Sequence, residues 1–266
     1  MSKKKVKMTQ FSILASLAVV LAFWIVGQAA CAAAPTDGAA ATLSHGGKAL
    51  ETAAKDNKYL FIFFYKEDTQ HSRVMRTVFQ TALAKLAATA QSVEIQTEDP
   101  AEQQLVTRYG VSRAPLPLVL VIAPNGAITK GFPTQFDENQ LRQAFVSPCT
   151  AQCMKALQDR KLVLLCVQQP SPQAQQAAFP RGVQEFTTNE PYSRNSKVVL
   201  LNASDPAEAA FLKSLQVDPQ TTTPVTVLMS PPGSVVGTFV GDVTKAELIA
   251  KLKSASSCGP GCSCHH

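Results

Sequence analysis

The strongest constraint on this 266-residue chain is that it repeats itself. Asp99-Pro100-Ala101-Glu102 returns 106 positions later as Asp205-Pro206-Ala207-Glu208. A helical stretch follows each copy and ends at Val111 and at Val217. The apolar stretch 117–122 (PLVLVI) then matches 224–229 (PVTVLM), and the turns Pro124-Asn125-Gly126 and Pro231-Pro232-Gly233 follow, at a constant offset of 107. Each turn leads into a second strand that ends near Phe132 and near Phe239. Upstream, 58–65 (KYLFIFFY) pairs with 161–168 (KLVLLCVQ). Continuous apolar runs of that length suit strands buried on both faces. Repetition over about 100 residues makes each copy one supersecondary unit, and the chain an array of two.

Each unit reads helix, strand, helix, strand, helix, strand, hairpin strand, helix. The Lys-Ala-Leu triplets at Lys48 and Lys155 are read as opening the first helix of each unit, and amphipathic helices over 137–146 and 244–254 as closing them. Thr244 followed by Glu247 forms a capping box at the second of these. Parallel strands need helical crossovers, and the last strand returns antiparallel through a tight turn. The expected fold class is therefore α/β: two tandem domains, each a mixed sheet flanked by helices, over 45–146 and 147–254.

The N-terminus reads as an export signal. Lys3, Lys4, Lys5 and Lys7 precede an apolar run over 11–27 and a small-residue patch over 29–34. That is the order of a secretory signal. The expected division is a signal peptide or membrane anchor over 1–31, a flexible spacer over 32–44, and a Cys/His-rich tail over 255–266. Cleavage, retention as an anchor, and lipidation at Cys31, in a Gln28-Ala29-Ala30-Cys31 stretch similar to a bacterial lipobox, are the three alternatives. All three place the rest of the chain in the periplasm or another extracytoplasmic space, anchored to the membrane in two of them. The net charge is +6, of which those four lysines supply four, leaving +2 for the rest (6 − 4). No basic run follows residue 7, so nucleic acid is excluded as a partner.

The element order, with a proline opening the third strand of each unit, resembles the thioredoxin-like superfamily over residues 46–146 and 155–254. The resemblance implies a cis-proline beside the active position. Pro117 and Pro224 are the candidates, with Ala114–Pro115 as a second possible bond in the first unit. In redox-active relatives a Cys-x-x-Cys dithiol stands where the first strand meets the next helix, and the helix N-terminus activates its thiol. Here that stretch is Thr69-Gln70-His71-Ser72 and, in the second unit, Pro172-Gln173-Ala174-Gln175. Thr69, Ser72, Pro172 and Gln175 thus occupy degenerate active-site positions, and thiol–disulfide exchange needs a thiolate that none of them supplies. His71 is read as a solvent-exposed histidine at a helix start, since a Ser/His pair needs a third, orienting group.

Two cysteine clusters lie elsewhere. In the first, Ser147 and Pro148 suit the N-cap and first position of a helix. That places Cys149 in its first turn, where the dipole favours a thiolate, and Cys153 on the same face. The spacing resembles the Cys-x-x-x-Cys of copper-delivery proteins with thioredoxin-like folds. A structural disulfide and a metal site are both open readings. The second cluster is the tail, where Cys258, Cys262, Cys264, His265 and His266 form a compositional metal signature. Cu(I) or Zn(II) are the ions such ligands suit. Cys166, inside a strand, is read as a small buried apolar residue.

Two functions follow. The first is an exported thioredoxin-fold protein without dithiol oxidoreductase activity, serving as a scaffold for a protein or peptide partner; this reading leans against an enzyme and requires no cofactor. The alternative is a metal-handling or thiol-relay protein working through Cys149, Cys153 and the tail at 258–266. No phosphate loop, zinc-protease motif or nucleophile elbow occurs.

Overall fold

The computed structural model describes residues 43–169 and 179–257. The expected signal with Cys31, the spacer up to residue 42, the Pro172–Gln175 stretch and the tail from Cys258 lie outside the described residues. Among the described residues no helix is long and apolar enough to cross a membrane.

The first half runs α1 (His45–Lys55), β1 (Tyr59–Tyr65), α2 (Gln70–Lys85), β2 (Ala90–Gln96), α3 (Gln103–Arg108), β3 (Leu118–Ile122), β4 (Ile128–Pro133) and α4 (Glu138–Arg142). Its sheet has the order β2-β1-β3-β4, with β1 and β2 parallel and both β1–β3 and β3–β4 antiparallel. The second half runs α5 (Pro148–Gln158), β5 (Leu162–Gln168), α6 (Arg181–Thr187), α7 (Tyr192–Asn195), β6 (Ser196–Asn202), α8 (Ala209–Ser214), β7 (Val225–Ser230), β8 (Ser234–Val240) and α9 (Lys245–Ser257). Its sheet, β6-β5-β7-β8, has the same directions. Both halves therefore have the thioredoxin-like arrangement, two tandem α/β domains each with a four-stranded mixed sheet flanked by helices.

Burial on both faces explains the unbroken apolar strands. The β1 side chains alternate between two cores: Phe61 and Phe63 meet Phe79 of α2 and Leu141 of α4, while Leu60, Ile62 and Phe64 meet Ala53 of α1 and Leu105 of α3. In β5, Val163, Leu165 and Val167 pack with Ala156 and Leu157 of α5, and Leu164 and Cys166 with Phe186 of α6 and Leu248 of α9. A single polar substitution at positions 60–64 or 163–167 would therefore disrupt a core whichever way it pointed. Even the strand irregularities repeat, with a register shift at Val121/Ile122 and another at Leu228/Met229.

Two local expectations are corrected. The Lys-Ala-Leu triplets do not open the first helices. These begin at His45 and Pro148, each capped by the side chain of the preceding serine, so the equivalent positions are Ser44 and Ser147. Hydroxyl acceptance of a backbone N–H sets a helix start more strongly than a favourable interior triplet does. The helix expected over 137–146 is a short α4, begun by an Asp137–Gln140 capping box and ended at Arg142, because Ala144, Phe145 and Val146 leave it to pack beneath the sheet and at the domain junction.

The repeated Asp-Pro-Ala-Glu has a structural task. Asp99 and Asp205 each cap a 3-10 turn through the N–H of Ala101 and Ala207. The glutamate three residues on is buried, 3% exposed at Glu102 and 2% at Glu208. Glu102 accepts from Ser44 Oγ at 2.8 Å and from the Gly46 N–H at 2.9 Å. Glu208 accepts from Ser147 Oγ and from the Cys149 N–H at 3.1 Å. Each carboxylate thus ties the start of its domain's first helix, where the helix N-terminus favours negative charge, to the segment leading into α3 or α8. Gly46 permits the close approach, since a Cβ there would lie 2.5 Å from Ile95 Cδ1 and 2.8 Å from Glu102 Oε2. Replacing Glu102 with Ala leaves Ser44 Oγ and the Gly46 N–H without this acceptor, and replacing Glu208 with Ala strips it from the Cys149 N–H while Ser147 Oγ keeps Thr150 Oγ1 at 2.7 Å. Each change is expected to cost about 2–3 kcal/mol, read as a lowered urea midpoint.

Candidate functional site

The thioredoxin-type position in the first domain lies at the N-terminus of α2. Thr69 caps the helix, its Oγ1 accepting from the Ser72 N–H at 3.1 Å, and the two hydroxyl oxygens stand 3.0 Å apart. Ser72 is buried. Both hydroxyls are thus used in starting the helix. The loop before it is held by charge. Asp68 receives Arg76 at 2.6 Å and Arg73 at 3.4 Å, and the Arg76 contact above all holds its carboxyl below the usual range. Arg76 also meets Glu94 at 2.8 Å and lies over the Tyr65 ring.

His71, between these two residues in sequence, bonds elsewhere. Its Nε2 is 2.8 Å from the carbonyl oxygen of Thr134, just beyond β4. The exposed-histidine reading thus gains a partner: the ring links the start of α2 to the end of the β3–β4 hairpin. Thr134 in turn donates its N–H to the Pro117 carbonyl at 2.6 Å. The Leu116–Pro117 bond is cis. Immediately before it, the backbone N–H and C=O of Leu116 make no backbone hydrogen bond among the described residues. Thr134 has φ of +60°, in the left-handed region that a β-branched residue rarely enters. Its repeat equivalent, 107 positions on, is Gly241 with φ of +82°, where no Cβ opposes that conformation.

The second domain departs from the first at this place. The bond before Pro224 is trans, contrary to expectation; the cis X–Pro bonds among the described residues precede Pro117, Pro191 and Pro232. Trans is the lower-energy isomer of an X–Pro bond, and the sheet contact that Pro224 makes, its carbonyl accepting from Gly241 N–H at 2.8 Å, accommodates it. The carbonyl of Thr223 is already taken by Thr221 Oγ1 at 2.9 Å.

Cys149 and Cys153 occupy a different kind of place. Both are free thiols packed in the core between α5 and its sheet, and Cys149 donates to the Leu200 carbonyl. The dipole was expected to favour a thiolate at Cys149. Instead burial, followed by the negative charge of Glu208, pushes its pKa up to about 12, and burial with the neighbouring Cys149 pushes Cys153 up to about 12. Burial outweighs the helix dipole here, and the carboxylate at the helix start raises the thiol further. Cys166 is likewise buried and raised to about 11. No group of three or more Cys, His, Asp or Glu residues placed to hold a metal ion occurs among the described residues.

A cleft of about 420 Å³ opens where the first domain meets α5, lined by Tyr59, Pro124, Asn125, Val146, Ala151 and Gln152 among others. Its wall is fixed by Tyr59 Oη, which bonds both the carbonyl and the N–H of Val146.

No family model matches the chain, and no curated protein matches it. Solved structures similar to it include thioredoxin O2 from Arabidopsis thaliana in the oxidized state, at 12% identity and TM-score 0.30, covering 36% of this chain and 79% of that one. A disulphide isomerase from Xylella fastidiosa Temecula1 is 20% identical at TM-score 0.28, covering 32% of this chain and 67% of that one. The NTD_N/C domain of the alkylhydroperoxide reductase AhpF from Enterococcus faecalis is 16% identical at TM-score 0.29, covering 76% of this chain and 97% of that domain. At such identities and scores these likenesses carry no argument about activity. The description of both domains as thioredoxin-like rests on strand order, strand direction and register.

A thiol raised in the folded state stays neutral while its unfolded counterpart ionises. Stability contributed by Cys149 and Cys153 is therefore full below pH 9 and falls as pH rises from 9 toward about 12. Native protein is expected to show Cys149, Cys153 and Cys166 unreactive to a thiol reagent at pH 8 and reactive once unfolded in urea, with sites assigned by mass spectrometry. Thr134→Gly, which removes the left-handed strain, is expected to stabilise the first domain by about 1 kcal/mol in urea titration.

Proposed function

We propose that this chain is an exported thioredoxin-like protein that binds an extended peptide or protein partner through its first domain and performs no dithiol exchange. The observation that carries the reading is the pairing of two features at one end of the first sheet. Leu116 offers a backbone N–H and C=O that make no backbone hydrogen bond among the described residues, the arrangement by which a strand-like peptide is held. Opposite them, at the start of α2, stand the hydroxyls of Thr69 and Ser72 where a thiolate would be needed. The strained Thr134 supports the same reading. A residue held in a costly conformation, with its carbonyl fixing His71 and its N–H fixing Pro117, is the kind of outlier that marks a working surface. The second domain, with the Thr223 carbonyl occupied, serves as a support.

Export rests on the basic and apolar segments of residues 1–31, and membrane attachment on their retention or on acylation of Cys31. The metal-handling alternative gains nothing from Cys149 and Cys153, whose raised pKa values oppose ligation, since a thiolate is the ligand.

The test is to install what is missing. Wild-type protein is expected to leave the precipitation of insulin by dithiothreitol at the rate seen without protein, while Thr69→Cys/Ser72→Cys accelerates it. Acceleration by the wild type above that rate would overturn the redox-silent reading. Binding is tested separately by amide NMR with peptides selected on the intact protein. Shifts clustered on Leu116, His71 and Thr134 support the proposal, and shifts centred on Thr223 overturn it.

A further inference from the structure

The two domains treat their equivalent sheet edges in opposite ways. In the first, β4 is the outer strand and is protected three times over. Gln158 of α5 bonds both backbone groups of Ile128, accepting its N–H at 2.9 Å and donating to its carbonyl at 2.7 Å. Lys130 puts a charge on the strand, and Pro133 ends it without an N–H. Charges, prolines and covering elements are the usual means by which a free edge is kept from pairing.

The register maps these positions onto β8. Ile122 faces Ile128 as Met229 faces Val235, on the far side of the same register shift. Ile128, Lys130 and Pro133 correspond to Val235, Gly237 and Val240, so all three protections are missing. No side chain among the described residues bonds the backbone of β8, no residue of the strand is charged, and Val235 and Val240 are 48% and 70% exposed. Val235, Thr238 and Val240 pair with Met229, Val227 and Val225 and share their face of the sheet, a ready surface for alternating apolar side chains.

Charge narrows the occupant. Lys251 of α9 lies against the middle of the strand, where a Cβ on Gly237 would be 2.9 Å from its Cγ, and its ammonium makes no ion pair among the described residues. Pairing β8 with β8 of a second copy would bring two such lysines together across the axis, with no acidic residue on either strand to separate them. The tail at 258–266 contains no acidic residue and carries Gly259, Pro260 and Gly261. We propose that the β8 edge is a strand-addition site for an extended segment of another protein, one that alternates β-branched residues and places a carboxylate opposite Gly237, within reach of Lys251. This surface is independent of the one at Leu116.

The probe is a fluorescein-labelled peptide, acetyl-Thr-Val-Thr-Glu-Val-Thr-Val-amide, titrated with full-length protein by anisotropy. Saturable binding is expected, weakened at least about tenfold by Val240→Lys or by Val240→Pro, which restores the protection of β4. Both changes are at an exposed edge position, and circular dichroism checks that the fold persists. Lys251→Glu is expected to weaken this peptide and to rescue binding of the version with Lys in place of Glu. The proposal is overturned by failure of the probe to bind, by binding indifferent to Val240→Lys, or by lack of the charge-swap rescue. It is equally overturned by a dimer that Val240→Lys dissolves, which would make a second copy the occupant, or by binding that emerges only after deletion of 258–266, which would make the tail the occupant.

Discussion

A buried carboxylate sits at the root of each domain. Glu102 and Glu208 accept from the capping serine and from an N–H of the first helical turn, joining residues 58 and 61 positions apart in the chain. A charge so enclosed is tolerable only when its lone pairs are met, so the first helix cannot shift without leaving it unpaired. Those helices cover one face of each sheet and thereby complete the cores that make β1 and β5 continuous apolar runs. The same contact bears on Cys149, which shares the carboxylate with Ser147. Burial is the main reason that thiol stays protonated, and the negative charge that fixes the helix adds to it.

The two domains share a frame and differ at the end of the hairpin. In the first, the start of α2, the end of the hairpin and Pro117 are tied into one surface through His71 and Thr134. In the second, glycine relieves the strain at the position of Thr134, and Thr221 occupies the carbonyl before Pro224. Between them α5 belongs to both. Cys153, Ala156 and Leu157 face its own sheet, while Ala151, Met154 and Gln158 reach the first domain. A helix that buries two faces couples the domains more firmly than a linker would. Among the described residues, no such cover lies on the outer edge of the second domain.

How much of this the sequence disclosed depends on the range of the interaction. Strand order, the α/β class and the two-unit division were legible because the repeat, the apolar runs and the Gly turns are local patterns of fixed period. The hydroxyls at Thr69 and Ser72 were legible because position within the unit identified them. The Asp-Pro-Ala-Glu motif was visible as a repeat while its purpose was not, since its partners at Ser44 and Ser147 lie far off in sequence. The Lys-Ala-Leu match misled because identical letters need not occupy equivalent turns.

By itself, then, the sequence determined the architecture and the absence of sulfur from the first domain's usual site, because composition and periodicity act over a few residues at a time. Tertiary structure alone decided the trans bond at Pro224, the high pKa of Cys149, the link from His71 to Thr134 and the unprotected edge of β8. Each of these depends on which distant groups are brought within a few ångströms, and a helix dipole, a proline or a strand edge takes its character from those neighbours.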